Sequence, residues 1–308
     1  MHTKDFISIH DLTLDEFHHL FDLGRDLKAH KEVYASALKG KTLAMIFEKQ
    51  SLRTRVTFEV GIQQLGGFAV YLAPSDISLG KRESVQDVAK NLSRWVDGIM
   101  IRTFGHDICT GLAEHATIPV INGLTDLLHP CQAMADYFTM MEHRGTLKGL
   151  NVTYVGDGNN VAHSLMFGGA KAGANVAICC PKGYEPNPEI FRLATEDARE
   201  TGATIRVLHD PKEAVRSADV IYTDVWASMG QEAEAEARKE IFKPYQVNAA
   251  LMKLAKPDAI FMHCLPAHRG DEVTDDVIDS TQSVVYDEAE NRLHMQKAVM
   301  VDLMKARG

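Results

Sequence analysis

The sequence FEKQSLRTR at Phe47–Arg55 joins two stretches with different hydrophobic periods. Before it, the apolar run Thr42–Phe47 has the length of a buried strand, and after it apolar residues recur at helical spacing from Val56 until Gly66–Gly67. Ser51 is a preferred N-cap residue. The sequence therefore predicts a strand, a short loop and a helix that begins directly after Ser51.

The charges at this helix start indicate an anion site. The N–H groups of the first turn have no partner within the helix, and Arg53 and Arg55 stand beside them. A cation at a helix N-terminus opposes the macrodipole by roughly 0.3–1 kcal/mol. Guanidinium groups, hydroxyls and free N–H groups together suit a dianionic phosphate. A capped helix with solvated arginines is the alternative, and this stretch alone does not decide between them.

Length and composition limit the class of protein. A chain of 308 residues has room for two domains with separate cores. The apolar content of 45% and charged content of 24% are typical of a soluble globular protein. The formal net charge of −9 makes the surface as a whole repel nucleic acids and anionic membranes, so neither is expected as a partner.

Cysteine usage favours a reducing compartment. The chain has 5 cysteines, an odd number, and none forms a C-x-x-C pair. The first residues lead into no apolar segment of a secretory signal, and no apolar run reaches the length of a membrane span. We therefore expect a cytoplasmic protein.

Strand and helix patterns alternate along the whole chain, which predicts an α/β fold with right-handed crossovers and parallel sheets. Two such series are separated by Gly145–Gly149, so we expect two lobes, each a parallel sheet flanked by helices. The predicted strands are Thr42–Phe47, Phe68–Tyr71, Gly98–Ile101, Ile118–Ile121, Val152–Val155, Asn175–Cys180, Thr204–Leu208, Val220–Thr223 and Ala259–Met262. The longer predicted helices, besides the one after Ser51, are Leu14–His30, Ser84–Trp95, Leu112–His115, Ala133–Met141, Ala162–Lys171, Glu189–Arg199 and a last one from about Glu288.

Unusual polar residues follow six of the predicted strands. In open parallel sheets, ligands bind beyond the carboxyl ends of the strands. The sequence thus predicts an active site in the cleft between the two lobes. The polar segments are Ser51–Arg55, Arg102, His129–Gln132, Gly156–Asn160, Asp224–Met229 and His263–Pro266.

One segment is similar to a dinucleotide-binding loop but lacks its decisive residues. Gly156–Val161 reads GDGNNV, so valine replaces the third glycine. The next strand ends in Cys179–Lys182, without the acidic residue that binds ribose. We expect no NAD and no other cofactor.

Five motifs occur together and in order along the chain: Phe47–Arg55, His129–Gln132, Asp224–Gly230, His263–Pro266 and Glu290–Arg292. Together they resemble the aspartate/ornithine carbamoyltransferase family, its ornithine members in particular. The resemblance implies transfer of the carbamoyl group of carbamoyl phosphate to the δ-amine of L-ornithine, giving L-citrulline and phosphate, without metal. It also implies that residues 1–147 bind carbamoyl phosphate and residues 148–308 bind ornithine, with the last helix, about 288–308, packing back on the first domain.

The resemblance also implies roles for single residues. Arg102 and His129 would contact the carbamoyl oxygen, where negative charge develops, and removal of one such donor typically costs ~2.7–4 kcal/mol of barrier. The Cys264 and Leu265 carbonyls, with Gln132, would receive the carbamoyl NH₂. The further carbamoyl phosphate residues are Ser51, Leu52, Arg53, Thr54, Ser78 and Arg292. The ornithine residues are Asn160, Asp224, Ser228 and Met229.

Reaction of the δ-amine requires loss of a proton. A lysine-like amine has a pKa of ~10.4, so its neutral form is roughly 4–5 kcal/mol uphill at pH 7. In the family, Asp224 and Cys264 would lie beside this amine. A neighbouring carboxylate raises the pKa of a thiol. We therefore expect Cys264 to orient the amine by hydrogen bonding, and the group that removes the proton stays open.

Two positions depart from the family pattern. Leu52 stands where many members have threonine, and its side chain is expected to point toward the core of its lobe. Ser78 stands where many ornithine enzymes have glutamine or histidine.

Since the family builds its sites at subunit interfaces, we expect a homotrimer or an assembly of trimers. Ser78, with Lys81 or Arg82, would then enter a neighbouring subunit's site, unless this loop is merely solvated.

Two alternative functions remain open. The chain could carbamoylate another amine, such as acetylornithine, putrescine or aspartate, although Asp224 would repel the second carboxylate of aspartate. It could also be a non-catalytic amino-acid-binding homologue. The direction of the reaction within arginine metabolism does not follow from the sequence.

Overall fold

The computed structural model describes residues 1–77, 79, 82–227 and 234–305. The chain forms two compact units. The first holds residues 1–135 together with those from Glu290 onward, and the second holds Asp136–Ala289. The predicted α/β class with two parallel sheets is confirmed.

The described part of the first unit contains a four-stranded parallel sheet with the order β2-β1-β3-β4. Buried aliphatic residues fill these strands, as expected for a parallel sheet covered on both faces, whereas the edge strand β2 is partly exposed. The strands are β1 (Thr42–Phe47), β2 (Phe68–Leu72), β3 (Gly98–Arg102) and β4 (Val120–Leu124).

Helices of the first unit begin at residues that cap them. Thr13 caps the first helix in a capping box with Glu16, and Ser84 caps the fourth. Their apolar faces pack on the sheet around Ile46, Ile99 and Leu112. The helices are α1 (Leu14–Ala29), α2 (Leu52–Gln64), α3 (Pro74–Ile77), α4 (Val85–Trp95) and α5 (His106–His115), and α6 (Pro130–Arg144) begins in this unit.

The described part of the second unit contains a five-stranded parallel sheet with the order β7-β6-β5-β8-β9. Its core includes Ile221, Trp226, Phe242 and Phe261, all buried. The strands are β5 (Asn151–Val155), β6 (Asn175–Cys179), β7 (Ile205–Leu208), β8 (Val220–Thr223) and β9 (Ile260–His263).

The central helix of the second unit is buried along its whole length. This helix starts after the cap residue Asn159 and ends at Gly173, whose φ of 73° is a left-handed conformation that glycine adopts readily. The helices are α7 (Asn160–Ala172), α8 (Pro188–Thr201), α9 (Pro211–Ala214), α10 (Ala235–Phe242), α11 (Ala249–Met252), α12 (Asp275–Ile278) and α13 (Val285–Lys305), which continues into the first unit.

Each sheet has one point at which the order of its strands reverses. In the first unit the chain runs from β1 to β2 on one side and then to β3 on the other, and Phe47 pairs with Arg102 there. In the second unit the reversal lies between β5 and β8. Loops at such a point separate and leave room for a ligand. The predicted polar segments after β1, β3, β5 and β8 therefore lie where each sheet favours binding.

Several element boundaries differ from those predicted. Helix α5 begins at His106, six residues before the predicted Leu112. The prediction missed this start because Gly105, at the N-cap, has no side chain that could mark it. Strand β4 continues through Asn122 and Gly123, a pair typical of turns. Asn122 remains in the sheet because its backbone N–H donates to Phe6 O and its side-chain N–H donates to Ile7 O.

None of the helices in the described ranges is both long and apolar enough to cross a membrane.

Candidate active site

The start of helix α2 has the geometry predicted for an anion site. The Ser51 hydroxyl accepts from the Thr54 backbone N–H at 3.2 Å, so Ser51 is the N-cap residue, as predicted. Thr54 is buried, whereas Arg53 is only half-buried. The remaining N–H groups of this first turn are available to an anion at the end of β1.

Arg292 reaches this helix start from α13 within the first unit. Its Nη2 donates to Thr54 Oγ1 at 3.1 Å, and its Nη1 donates to Gln132 Oε1. The side chain is only 2% exposed. In the amide orientation that satisfies both of its neighbours, Gln296 Oε1 accepts from Arg292 Nη2 at 2.8 Å and from Nε at 3.1 Å. These contacts hold the guanidinium beside the start of helix α2.

His129 lies at the N-terminal end of α6 and is buried. Its carbonyl accepts from Gln132 N at 3.1 Å, which fixes the turn into the helix. Burial and the positive charges of Arg292, Arg102, Arg53 and Lys49 hold the pKa of His129 well below its usual value. The imidazole is therefore neutral at pH 7 and can donate one N–H without carrying charge.

Two further cations of this loop have different surroundings. Lys49 is buried and its Nζ lies 4.2 Å from the centre of the Phe104 ring. Arg55 lies over the Tyr71 ring, 3.9 Å from its centre, and its Nε contacts Glu59 at 3.5 Å. Arg55 thus turns toward β2, which leaves Arg53 as the guanidinium at the helix start.

The expectation for the Leu52 side chain was wrong. This side chain is 74% exposed rather than directed into the core. Leu52 is the first residue of α2, and the face that packs inward is carried by Thr54, Phe58 and Ile62. Its backbone N–H still belongs to the first turn, as the assignment to an anion site requires.

The second unit brings Asp224 and Cys264 together at the ends of β8 and β9. Cys264 Sγ donates to Asp224 Oδ1 at 3.1 Å, and Asn159 Nδ2 donates to Asp224 Oδ2 at 3.0 Å. Val225 N also donates to Asp224 Oδ1, at 2.8 Å. Three donors thus hold the carboxylate in one orientation.

The thiol of Cys264 stays protonated. Burial and the negative charges of Asp224, Glu288 and Asp136 raise its pKa well above the usual value. The arrangement agrees with the predicted orienting role, because a protonated thiol is a hydrogen-bond donor and a poor nucleophile.

The loop that follows Cys264 has a special backbone conformation. The peptide bond between Leu265 and Pro266 is cis, and Leu265 has a φ of 56°. The Leu265 N–H donates to His263 Nδ1 at 2.8 Å, while His263 Nε2 lies 3.2 Å from Glu272 Oε1. His263 is therefore protonated on Nε2 and fixes the turn that carries the Cys264 and Leu265 carbonyls.

Sequence reasoning missed Asn159, which holds Asp224. Asn159 is the N-cap of α7 and donates to Asp224, whereas binding of ornithine by the neighbouring Asn160 stays a prediction. The position of an asparagine directly before a helical pattern was the signal that identifies it. The predicted Ser78, Lys81, Ser228 and Met229 lie outside the described residues.

One group of potential metal ligands occurs in the described residues. Asp224, His263 and Cys264 place ligand atoms within 4.8 Å of one another. These atoms already hydrogen-bond, since the thiol donates to Asp224 and both His263 nitrogens have partners. The set fits an amine better than a metal ion, because a metal requires a deprotonated thiolate.

The loop similar to a dinucleotide fingerprint is filled by protein. The Gly158 N–H donates to Tyr184 O at 2.9 Å, and a Cβ on Gly158 would lie 2.3 Å from Pro186 N. The segment 184–186 thus occupies the space where a pyrophosphate would approach a glycine-rich turn.

Family models match almost the whole chain. The carbamoyl phosphate-binding domain of aspartate/ornithine carbamoyltransferases matches residues 4–142, and the aspartate/ornithine-binding domain of that family matches residues 148–303. An ornithine carbamoyltransferase of Thermococcus kodakarensis is 57% identical over 98% of this chain and 96% of its own. An anabolic ornithine carbamoyltransferase of Pyrococcus furiosus is 55% identical over the same shares of the two chains.

Solved structures of ornithine carbamoyltransferases have the same fold as this chain. The ornithine carbamoyltransferase of Pyrococcus furiosus superposes with a TM-score of 0.95 at 56% identity, covering 97% of this chain and 96% of that one. The anabolic enzyme of Campylobacter jejuni gives a TM-score of 0.93 at 37% identity, covering 98% and 99%. The motifs, the fold and these matches together show that the chain belongs to the aspartate/ornithine carbamoyltransferase family.

Proposed function

We propose that the protein transfers the carbamoyl group of carbamoyl phosphate to the δ-amine of L-ornithine, releasing L-citrulline and phosphate. The observation that carries this choice is the Asp224 carboxylate, fixed by the Cys264 thiol and Asn159. A buried carboxylate attracts a cationic diamine and repels the second carboxylate of aspartate. The relatives named ornithine carbamoyltransferase support the same choice.

Carbamoyl phosphate binds, in this proposal, at the start of helix α2. The phosphate dianion is held by Ser51, Arg53, Thr54 and the backbone of Leu52, with Arg292 closing the site. Arg292 supports this role because its guanidinium is buried and donates to Thr54 at the start of helix α2. Binding a doubly charged leaving group offsets the repulsion among the cations of the first turn.

The carbamoyl group is polarised by Arg102 and His129. The guanidinium and the neutral imidazole donate to the oxygen on which negative charge develops during attack. A neutral His129 suits this role, because it still has one N–H to donate and adds no further positive charge beside Arg102. Gln132 and the carbonyls of Cys264 and Leu265 receive the carbamoyl NH₂.

The amine attacks the carbamoyl carbon directly. A carbon–nitrogen bond forms, the carbon–oxygen bond to phosphate breaks, and the amine loses a proton. Asp224 and Cys264 orient the δ-amine, and Asn160, Ser228 and Met229 bind the α-amino and α-carboxylate groups. The raised pKa of Cys264 supports a thiol that orients rather than reacts.

The direction proposed is citrulline synthesis, as in arginine biosynthesis. The support is that two of the relatives are named anabolic ornithine carbamoyltransferases. We also propose a cytoplasmic location, which the cysteines support. The five cysteines are all free thiols, which suits a reducing compartment.

We propose a homotrimer, supported by an exposed apolar surface on the first unit. Leu52 and Phe68 are each 74% exposed, Val56 is 46% exposed and Val70 is 42% exposed. Arg55 stacks on Tyr71 between these residues, so the exposed faces of α2 and the edge strand β2 adjoin. Apolar patches of this kind mark protein interfaces.

Sedimentation of the purified protein tests the assembly. We expect the mass of a trimer, and Phe68→Glu should shift the protein toward the monomer. Leu254→Glu, a charge placed on an exposed leucine of the second unit, is the matched control and should leave the mass unchanged. A monomeric wild-type protein would contradict the proposal.

Ser78 and Lys81 remain candidates for entering a neighbouring subunit's site. Ser78→Ala and Lys81→Ala should then weaken the affinity for carbamoyl phosphate. An unchanged affinity in both variants would remove this loop from the site.

An amine panel tests the proposed function. Purified protein with carbamoyl phosphate is given ornithine, acetylornithine, putrescine or aspartate, and the carbamoylated product is measured. We expect ornithine to exceed each other amine by at least about 100-fold in kcat/KM, since charged groups of the site would be left unpaired by the analogues. Preference for another amine would support the alternative substrate, and no product with any amine would support a non-catalytic homologue.

A further inference from the structure

Two acidic side chains face each other inside the second unit, apart from the residues assigned to substrates. Asp136 on α6 and Glu288 on α13 are both 0% exposed, and their carboxyl groups are hydrogen-bonded to each other. Two carboxylates cannot hydrogen-bond without a proton between them. The pair therefore retains one proton.

Burial explains why the proton is kept. Desolvation, the negative charge of Asp136 and the hydrogen bond between the two carboxyl groups raise the pKa of Glu288 well above its usual value. Ionising both groups would place two like charges side by side in a medium of low polarity. At neutral pH the pair carries a single negative charge.

The neighbours of Glu288 fix its side chain. Tyr222 OH donates to Glu288 Oε1 at 3.0 Å, and the His263 N–H donates to Glu288 Oε2 at 3.0 Å. Each oxygen of Glu288 thus accepts from a separate donor, and its carboxyl group is also hydrogen-bonded to Asp136.

Those two donors, Tyr222 and His263, lie close to Asp224 and Cys264 in the sequence. Tyr222 precedes Asp224 by two residues at the end of β8, and His263 immediately precedes Cys264 at the end of β9. Glu288 therefore links the ends of two adjacent strands, just behind the contact between the Cys264 thiol and the Asp224 carboxylate.

We propose that Glu288, hydrogen-bonded to Asp136, is a positioning residue for the amine-binding pair Asp224 and Cys264. This inference rests on the proposed function, because its readout is the reaction with ornithine. Glu288 acts by fixing the ends of β8 and β9 through Tyr222 and His263, and it touches neither substrate.

Two isosteric substitutions test this role. In Asp136→Asn the amide side chain still hydrogen-bonds to Glu288, so kcat/KM for ornithine should stay within about threefold of wild type. In Glu288→Gln the new NH₂ group faces donors, and at least one of them loses its acceptor. We expect kcat/KM for ornithine to fall by about 10- to 100-fold, as for a buried donor left without a partner.

Further variants separate positioning from general damage. Asp136→Leu removes the hydrogen bond to Glu288 and should lose activity as Glu288→Gln does. Tyr222→Phe removes one donor to Glu288 and should lower kcat/KM for ornithine by about 3- to 10-fold, as for one hydrogen bond to a charged group. In all of them the KM for carbamoyl phosphate should stay within about threefold of wild type.

The proposal is overturned if Glu288→Gln has wild-type kinetics, or if Asp136→Asn loses as much activity as Glu288→Gln. It is also overturned if the losses affect carbamoyl phosphate and ornithine equally. Should Glu288→Gln fail to fold, wild-type kinetics in Tyr222→Phe would overturn it instead. A wild-type protein that forms no citrulline would refute the proposed function itself, which distinguishes the two failures.

Discussion

The helix start of the first unit and the strand ends of the second unit handle charge in opposite ways. Around Thr54 the structure gathers cations, among them Arg292, whose guanidinium donates to Thr54 and Gln132. Around Asp224 it gathers neutral donors, including the Cys264 thiol, so that one carboxylate is left for a ligand. The first arrangement suits a dianion and the second suits a cation.

The two regions also shift pKa values in opposite directions with the same result. Burial and neighbouring cations lower the pKa of His129, while burial and neighbouring carboxylates raise the pKa of Cys264. Both side chains are therefore neutral donors at pH 7. In each region the net charge is thus available to the substrate, while the buried donor beside it, His129 or Cys264, stays neutral.

The largest effect is expected from removing the charge of the first region. Arg292→Leu should lower kcat/KM for carbamoyl phosphate by about 100- to 1,000-fold, as for a lost donor to developing negative charge. Arg292→Lys is the control, and it should recover little because a single ammonium cannot contact both Thr54 and Gln132 as the guanidinium does. Full activity of Arg292→Leu would show that this guanidinium does not bind the phosphate.

A smaller effect, confined to the other substrate, is expected in the second region. Cys264→Ser should lower kcat/KM for ornithine by about 10- to 100-fold, because the shorter C–O bond moves the donor away from the Asp224 contact. The affinity for inorganic phosphate should remain that of wild type. Unchanged turnover in Cys264→Ser would remove this residue from the mechanism.

A matched pair of amide side chains sharpens the contrast further. Gln296 holds Arg292, and Asn159 holds Asp224. Gln296→Ala should raise the KM for carbamoyl phosphate, and Asn159→Ala should raise the KM for ornithine, each by about 10-fold for a lost hydrogen bond to a charged group. Steady-state kinetics with both substrates check this, and a crossed pattern would break the assignment of the two regions.

The smallest expected effect is on stability rather than activity. Since the folded-state pKa of His129 lies below its unfolded value of about 6.5, the unfolded chain binds a proton first as the pH falls. The free energy of unfolding should therefore decrease as the pH drops through about 6.5 toward the folded value. In urea titrations, the free energy of unfolding of His129→Asn should decrease less steeply between pH 7.5 and pH 5.5 than that of wild type, because asparagine does not titrate around the unfolded histidine pKa of about 6.5. Parallel curves would contradict a neutral buried imidazole.

The parts of this protein that the sequence predicts are those determined by local patterns. The apolar run before Ser51, the cap itself and the helical spacing after it predicted β1 and α2 correctly. The carboxyl-end rule for parallel strands then predicted that Arg102 and Asp224 would lie near binding positions.

The parts that could not be predicted depend on contacts between distant residues. The exposure of Leu52 follows from which face of α2 packs inward, and no local pattern states this. The pairing of Asp136 with Glu288 joins residues 152 positions apart, and each acid alone looks like a solvated helix residue. Asn122 and Gly123 read as a turn, and only their contacts with Phe6 and Ile7 keep them in β4.

The most direct test of the central claim is the kinetics of Asp224→Asn with ornithine. If this carboxylate holds the amine, kcat/KM for ornithine should fall by about 100-fold or more, as for a charged partner lost from a buried site. Inorganic phosphate should bind the variant as tightly as it binds wild type, because the cations of the first unit are untouched. Wild-type kinetics with ornithine in Asp224→Asn would contradict the account.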